Sequence, residues 1–146
     1  MISSISKKNA DAVYKKSRQR LHILFDLRGL MVNSKILERC YQAYVLSILS
    51  FSFMCWFGSL CVKERKRLEG MVSLCGKIVG TNQQTLSNLY NERVRCKAIK
   101  IMNDDTHVLS KFFRMLPSGR RLDSYDCKTT RLQKTFIPTA ITLYNK

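Results

Sequence analysis

The chain has 146 residues, 45% of them hydrophobic, and a formal net charge of +16 from 26 basic and 10 acidic residues. This length and composition predict one compact domain, spanning residues 1–146, with a modest core, and they give no reason to call the chain disordered. Because so much positive charge repels itself unless an anion neutralises it, the composition indicates a polyanionic partner, and nucleic acid is the foremost candidate.

The cysteines and histidines predict neither a disulfide framework nor a metal site. The six cysteines are scattered singly, mostly in apolar segments, which indicates small core residues in a reducing compartment. Only His22 and His107 are present, so no zinc-ligand spacing can be built, and we expect no metal and no cofactor. Residues 1–8, expected to be a flexible basic terminus, lack the apolar region of a signal peptide. We therefore expect an intracellular protein, nuclear or cytoplasmic.

The first predicted element is an amphipathic helix over residues 9–28. A rotation of about 100° per residue places Val13, Leu21 and Leu24 on one face. The opposite face carries a basic row, which consists of Lys8, Lys15, Arg18 and His22. The cations of this helix that we expect to contact nucleic acid are Lys15, Arg18 and Arg20.

Residues 41–62 form an unusual segment, because they contain no charged residue and are long enough to cross a membrane. Polar residues interrupt the run at Gln42, Ser47, Ser50, Ser52 and Ser59, and basic residues flank it at both ends. We therefore favour a soluble core helix over a membrane span. A helix that is apolar nearly all round needs cover on several sides, so we expect it to be the central element of a bundle. Ser34 is the predicted N-cap of the helix that leads into it.

Two more amphipathic helices are predicted downstream. Apolar side chains over residues 68–79 follow the i, i+3, i+4, i+7 spacing, and Gly80 has the position of a C-cap. Residues 81–84 have the form of a capping box, which predicts that a fourth helix starts there and ends before Asp104. These helices make residues 9–103 a helical bundle, and the predicted fold class is all-α.

Residues 104–146 are predicted to form an irregular basic tail of loops and short helices. The tail contains a turn at Pro117-Ser118-Gly119 and a last helix that Pro138 opens at its first position. Gly119 lets the backbone turn closely and expose N–H groups to an anion, while Arg120 and Arg121 supply guanidinium groups suited to phosphate oxygens. The alternative is a structural turn with solvated arginines.

Further basic residues continue this surface, namely Lys128, Arg131 and Lys134. Among them, Tyr125 and Phe136 are suited to stack on bases, although Phe136 fits a core position equally well. No base-reading motif is present. We therefore expect binding to DNA or RNA through backbone phosphates, largely independent of base sequence.

Short tracts run in a constant order along nearly the whole chain. They are Val13-Tyr14-Lys15-Lys16, Gln19-Arg20-Leu21, Leu27-Arg28, Trp56-Phe57-Gly58, Ile78-Val79-Gly80, Lys97-Ala98, Leu116-Pro117-Ser118-Gly119-Arg120-Arg121, Thr130-Arg131 and Phe136-Ile137-Pro138-Thr139-Ala140, followed by Asn145. Their order and spacing resemble the region after the polymerase palm in non-LTR (LINE-type) retrotransposon reverse transcriptases. The resemblance implies a thumb-like fragment of a protein that polymerises DNA on an RNA template, and a region that helps to hold the template-primer hybrid.

The fragment itself is expected to be no enzyme. Polymerisation needs closely placed carboxylates that hold two metal ions about 4 Å apart. In the family resembled, these carboxylates lie in a strand-turn-strand motif, whereas the only adjacent acidic pair here, Asp104-Asp105, follows a predicted helix with no strand pattern around it. We interpret the pair as a helix end that runs into a polar loop. The chain also lacks the glycine, zinc-protease and nucleophile-elbow motifs of other enzyme classes.

Two alternatives of other classes stay open. Residues 11–58 also resemble the helical N-terminal domain of the eighth AlkB homologue, from a family of tRNA-modifying enzymes with methyltransferase and iron/2-oxoglutarate dioxygenase activities. The dioxygenase chemistry needs a His-x-Asp pair, and neither His22 nor His107 has an aspartate two residues on. The third alternative is a small membrane protein anchored through residues 41–62.

Overall fold

The computed structural model describes the backbone of residues 2–146 and the side chains from Lys7 onward, so Met1 of the predicted flexible terminus lies outside the described residues. The chain is 69% helical, and the described residues contain no strand, only an isolated antiparallel bridge between Met115 and Leu122. The all-α fold class is therefore confirmed. The packing divides the chain into two compact units, the first ending at Leu86 and the second spanning Ser87–Lys146. That all 146 residues form one domain stays a prediction.

The first unit is built from long outer helices and a chain of short ones. Its elements are α1 (Ile2–Gly29), α2 (Ser34–Cys40), a π-helical segment (Tyr41–Leu46), α3 (Ser47–Leu49), α4 (Phe53–Trp56), a 3-10 turn (Phe57–Ser59) and α5 (Val62–Val79). The second unit holds one long helix and several short elements. They are α6 (Leu86–Met102, its first residue counted with the first unit), a 3-10 turn (Ser110–Phe112), α7 (Thr130–Gln133) and α8 (Phe136–Tyr144).

Helix α1 has the amphipathic character predicted, but it begins earlier. Residues 2–8, assigned from the sequence to a flexible terminus, are helical, because they contain no proline or glycine that would break the helix. Leu21 and Leu24 are buried, and Ala10 joins them on the inward face. The predicted basic row is exposed along its whole length, at Lys8, Lys15, Arg18 and His22.

Helix α1 packs against α5, and an arginine at each end joins the two. Near their beginnings, the Arg67 guanidinium lies 3.8 Å from the centroid of the Tyr14 ring and pairs with the Asp11 carboxylate at 2.7 Å. Near their ends, Arg28 donates to the carbonyl oxygens of Lys77 and Ile78. The two helices therefore run in the same direction. Because the last carbonyls of a helix have no partner within it, Arg28 also caps α5 and complements its dipole.

The apolar segment 41–62 differs from the uninterrupted helix predicted. A π-helical stretch opens it, and the chain then turns at Ser52, whose φ is +48°. Its buried side chains form one stripe, at Tyr41, Val45, Leu49, Phe53, Trp56, Phe57 and Leu60. The other side is open, since Tyr44 and Phe51 are 44% and 76% exposed. Burial raises the pKa of Tyr41 above its ordinary value. Burial also raises the pKa of Cys75, on α5, to about 11. Both groups therefore stay neutral at physiological pH.

The sequence locates the end of α5 correctly but misplaces two helix starts. Gly80, with φ +82°, is the predicted C-cap of α5. Helix α2, however, is capped by Asn33, whose side chain accepts from the Lys35 N–H, and not by Ser34. The second error concerns α6, which starts at Leu86 and not at the predicted residues 81–84. The Leu86 N–H donates to the Glu69 carboxylate of α5 at 2.8 Å, and this contact with another helix stabilises the observed start.

In the second unit, α6 ends at Met102, in agreement with the predicted polar loop at Asp104. Helix α8 starts two residues earlier than predicted, with Thr135 as its N-cap, so Pro138 occupies the third helical position. A proline is tolerated there because the first N–H groups of a helix have no intrahelical acceptor. Pro138, Ala140 and Ile141 are buried.

Trp56, the only tryptophan, reports on the packing of the apolar stripe. It is 6% exposed, and its Nε1–H donates to the Phe51 carbonyl at 3.2 Å. We expect acrylamide to quench its fluorescence several-fold less steeply than that of free N-acetyltryptophanamide, and unfolding in guanidinium to remove the difference. Acrylamide is neutral, so the high positive charge does not attract it as it would attract iodide. A native quenching slope equal to that of the free amide would contradict this packing.

Candidate nucleic-acid interface

The predicted turn at residues 117–119 forms the tip of a small hairpin. The Gly119 N–H donates to the Leu116 carbonyl at 2.8 Å, and the Leu116 N–H donates to the Arg121 carbonyl at 2.8 Å. Gly119 has φ +65°, a conformation that glycine adopts without strain. The turn itself therefore uses the Gly119 N–H, and that group is not offered to an anion.

A single side chain ties the hairpin to the end of α8. The Leu122 N–H donates to Asn145 Oδ1 at 2.8 Å, and Asn145 Nδ2 donates to the Leu122 carbonyl at 3.0 Å. Leu122 is 1% exposed, so both of its backbone groups would otherwise be buried without partners. Asn145 thus holds Leu122 as a neighbouring strand would. Sequence reasoning missed this role, and the only signal for it was the position of Asn145 at the end of the colinear tracts.

The two hydrogen bonds between Asn145 and Leu122, called the Asn145 clamp below, leave the two hairpin arginines on the surface. Arg120 and Arg121 are exposed, and neither guanidinium forms an ion pair or a hydrogen bond with any described residue. A guanidinium without an internal partner retains all of its donors for phosphate oxygens. The hairpin therefore presents two adjacent cations whose backbone is fixed by the turn and by Asn145.

Three other predicted cations lie in α7 or directly beside it. Thr129 caps this short helix by accepting the Leu132 N–H at 3.2 Å. Lys128 directly precedes the N-cap residue Thr129, Arg131 lies in the helix, and Lys134 follows its last residue. All three are exposed and have no ion-pair partner among the residues that the structure describes. They form a second basic group within the second unit.

The remaining predicted cations lie on α1, in the first unit. Lys15 and Arg18 are exposed on the basic row of that helix. Arg20 is also exposed, but its Nη1 makes a long hydrogen bond of 3.5 Å to the Tyr44 carbonyl. Arg20 is therefore partly used within the unit, whereas Lys15 and Arg18 are turned to solvent.

Several arginines outside the predicted set have structural roles that sequence reasoning did not find. Arg28 caps α5, and Arg95 acts similarly on α8 by donating to the Leu143 carbonyl at 2.8 Å. Arg65 lies 5.0 Å from the centroid of the Phe57 ring and donates to the Phe57 carbonyl at 3.4 Å. These arginines serve the fold, so they are poor candidates for contacts with an external anion.

The acidic pair lies in a local turn. Asp104 Oδ1 accepts from the Thr106 N–H at 3.0 Å and from the Thr106 hydroxyl at 2.6 Å, and these hydrogen bonds lower the pKa of Asp104. Across the described residues, no group of three or more His, Cys, Asp or Glu side chains is placed to hold a metal ion.

The two aromatic residues singled out among the basic tracts differ in their surroundings. Phe136 is half-buried and packs edge-on against Phe113 at 6.5 Å between ring centroids, so it belongs to the core of the second unit. Tyr125 remains 40% exposed, with one edge against Phe112 at 6.3 Å. Of the two, only Tyr125 keeps a surface open to a ligand.

Comparison with known proteins does not narrow the function. No protein-family model, no curated protein and no solved structure matches this chain.

The Asn145 clamp is directly testable by Asn145→Ala. The substitution leaves the buried N–H and carbonyl of Leu122 without partners, which we expect to lower the free energy of unfolding by about 1–3 kcal/mol. Urea denaturation followed by circular dichroism measures the change. The control is Asn91→Ala, at an exposed position of α6 where alanine favours the helix, so no loss of stability is expected. Equal stability of the Asn145→Ala and wild-type proteins would show that the clamp does not hold the hairpin in solution.

Proposed function

We propose that this chain binds nucleic acid through backbone phosphates. The observation that carries the proposal is the state of the eight cations predicted to bind, Lys15, Arg18, Arg20, Arg120, Arg121, Lys128, Arg131 and Lys134. All eight are exposed, and none forms an ion pair within the described part of the chain. Phosphates attract such cations without reference to base sequence, so the binding is largely sequence-independent.

The distribution of charge between the units supports this proposal. Residues up to Leu86 include 14 basic and 5 acidic residues, and Ser87–Lys146 include 12 basic and 5 acidic residues. Each unit therefore carries a strong positive charge of its own, +9 and +7. Attraction to a polyanion consequently does not depend on how the units are arranged.

We further propose that the chain is a non-catalytic piece of a LINE-type retrotransposon reverse transcriptase. The colinear tracts support this origin, and two of them have connected roles, since the hairpin that begins at Leu116 is held by Asn145. In such a parent, a basic helical region would help to hold a template-primer hybrid. The genomic sequence directly upstream tests the origin, because it should encode a reverse-transcriptase palm, intact or decayed.

One observation favours a second candidate, a small membrane protein. Ser34–Ser59 spans 26 residues and is long and apolar enough to cross a membrane, by length and composition only. Against insertion, the turn at Ser52 breaks the regular hydrogen bonding that a helix surrounded by lipid requires. Fractionation separates the candidates: the nucleic-acid-binding protein remains in the supernatant after high-speed centrifugation, and a membrane protein pellets with vesicles.

The salt dependence of binding tests the role of the hairpin arginines. If about five phosphates are neutralised, the logarithm of the affinity for duplex DNA should fall with the logarithm of the salt concentration with a slope of about −4.5. Replacing Arg120 and Arg121 together by alanine should flatten that slope by about two units, because two phosphate contacts are lost. The helical content should not change, since the turn is closed by backbone hydrogen bonds.

A matched control separates a local interface from general charge. Lys63→Ala combined with Lys66→Ala removes the same charge from exposed positions of α5, and we expect a smaller change in slope. If both double variants flatten the slope equally, the binding is spread over the whole surface. A slope that the Arg120/Arg121 variant does not change would remove these residues from the interface.

We expect the purified chain not to extend a primer. Asp104 is engaged in a turn with Thr106 and has only Asp105 beside it as a further carboxylate in the loop, an arrangement unlike a two-metal polymerase site. The assay is primer extension with Mg²⁺ or Mn²⁺ on an RNA template. Incorporation in the wild type that disappears in the Asp104→Asn/Asp105→Asn variant would show that the pair is catalytic.

A further inference from the structure

The second unit contains a groove beside its basic groups. Residues 124–127 form one wall, and α8 forms the floor with Pro138 and Ile141. The groove has a volume of about 770 Å³, which falls in the range of about 300–1,000 Å³ typical of small-molecule sites. The Tyr125 ring lines it, and Asp126, Gln133 and Lys146 add polar groups. All of these residues belong to the second unit.

The chemistry of the lining indicates the kind of ligand. A phosphate inside the groove meets the Asp126 carboxylate as well as the Lys146 ammonium group, so its charge gains little there, and a purely apolar ligand makes no use of Asp126 and Gln133. A nucleobase satisfies both parts of the lining. Its flat face can stack on Tyr125 above the apolar floor, while its edge offers N–H donors to Asp126 and matches the amide of Gln133.

Two further features fit this ligand. The Tyr125 ring packs edge-on against Phe112, at 6.3 Å between ring centroids, and this contact restricts the orientations of the ring before a base arrives. The chain directly after residues 124–127 is basic, because it carries Lys128, Arg131 and Lys134. A base inside the groove therefore has phosphate-binding side chains close along the chain, and Lys146 lies in the groove itself.

We infer that this groove binds one unpaired base of a single-stranded nucleic acid, stacked on Tyr125. The inference rests on the proposed function, and it adds a preference for unpaired bases over bases in a duplex. A base in a duplex is stacked between its neighbours and cannot enter the groove, so only a single strand, a bulge or an end uses the site. Duplex binding then depends on the surface cations alone.

The experiment uses the full chain and an oligonucleotide containing 2-aminopurine, whose fluorescence falls when the base stacks. Binding is compared for the single strand and for the same strand in a duplex. The test variant is Tyr125→Leu, which keeps an apolar contact with Phe112 but has no aromatic face. Tyr125→Phe keeps the face. The control is Tyr44→Leu, at a tyrosine of the first unit that is similarly exposed, at 44%.

We expect Tyr125→Leu to weaken single-strand binding by about 5- to 150-fold, to abolish the quenching and to leave duplex binding unchanged. Tyr125→Phe and Tyr44→Leu should behave as wild type. A second variant, Gln133→Ala, removes an edge contact from an exposed position and should weaken single-strand binding by about 2- to 12-fold. This variant provides the test if Tyr125→Leu loses its circular dichroism spectrum.

The outcomes distinguish this inference from the proposed function. If wild type binds both nucleic acids in a salt-dependent way, but Tyr125→Leu or Gln133→Ala binds the single strand as tightly as wild type with full quenching, the groove does not hold a base and phosphate binding stands. If wild type binds neither nucleic acid with a salt dependence, the proposed function is wrong and the base site is wrong with it.

Discussion

The excess of positive charge is the constraint on which this fold depends. With 26 basic and only 10 acidic residues, most cations cannot be paired with a carboxylate. Arg67 pairs with the Asp11 carboxylate, but three other arginines that help to build the fold use other groups: Arg28 donates to the last carbonyls of α5, Arg95 donates to the end of α8, and Arg65 lies over the Phe57 ring. These contacts satisfy helix carbonyls that lack intrahelical partners, and they stabilise the fold without neutralising its charge. The charge that remains is what the proposed function uses.

This arrangement divides the arginines into two groups with different roles. Arginines bound to carbonyls or rings position helices, and replacing them is expected to lower the free energy of unfolding. The hairpin arginines, Arg120 and Arg121, have no internal partner, and the fold fixes only the backbone that carries them. Asn145 provides that fixation from the end of α8. The surface cations near α7 and the groove lined by Tyr125 belong to the same unit, which therefore carries residues for both the proposed phosphate contacts and the proposed base contact.

Some local signals in the sequence were reliable, although the N-cap of α2 is Asn33 and not the predicted Ser34. The end of α5 at Gly80 was predicted because glycine adopts a positive φ without strain, and the exposed basic row of α1 was predicted from helical periodicity. The start of α6 was misplaced because a carboxylate from another helix, Glu69, accepts the first N–H. The break at Ser52 was missed because an apolar sequence resembles both a long helix and a series of short ones.

The sequence by itself determined the all-α class, the inward face of α1 and α5, the positive charge and the tracts that carry it. These properties follow from composition and from a period of 3.6 residues, which need no knowledge of distant neighbours. Only the tertiary structure decided that Arg28 and Arg95 cap helices, that the Gly119 N–H is consumed by its own turn, and that Asn145 clamps Leu122. In the sequence, Leu122 and Asn145 are 23 positions apart, Arg95 and Leu143 are 48 apart, and Arg28 and Lys77 are 49 apart. Such pairs meet only when the packing of whole helices brings them together.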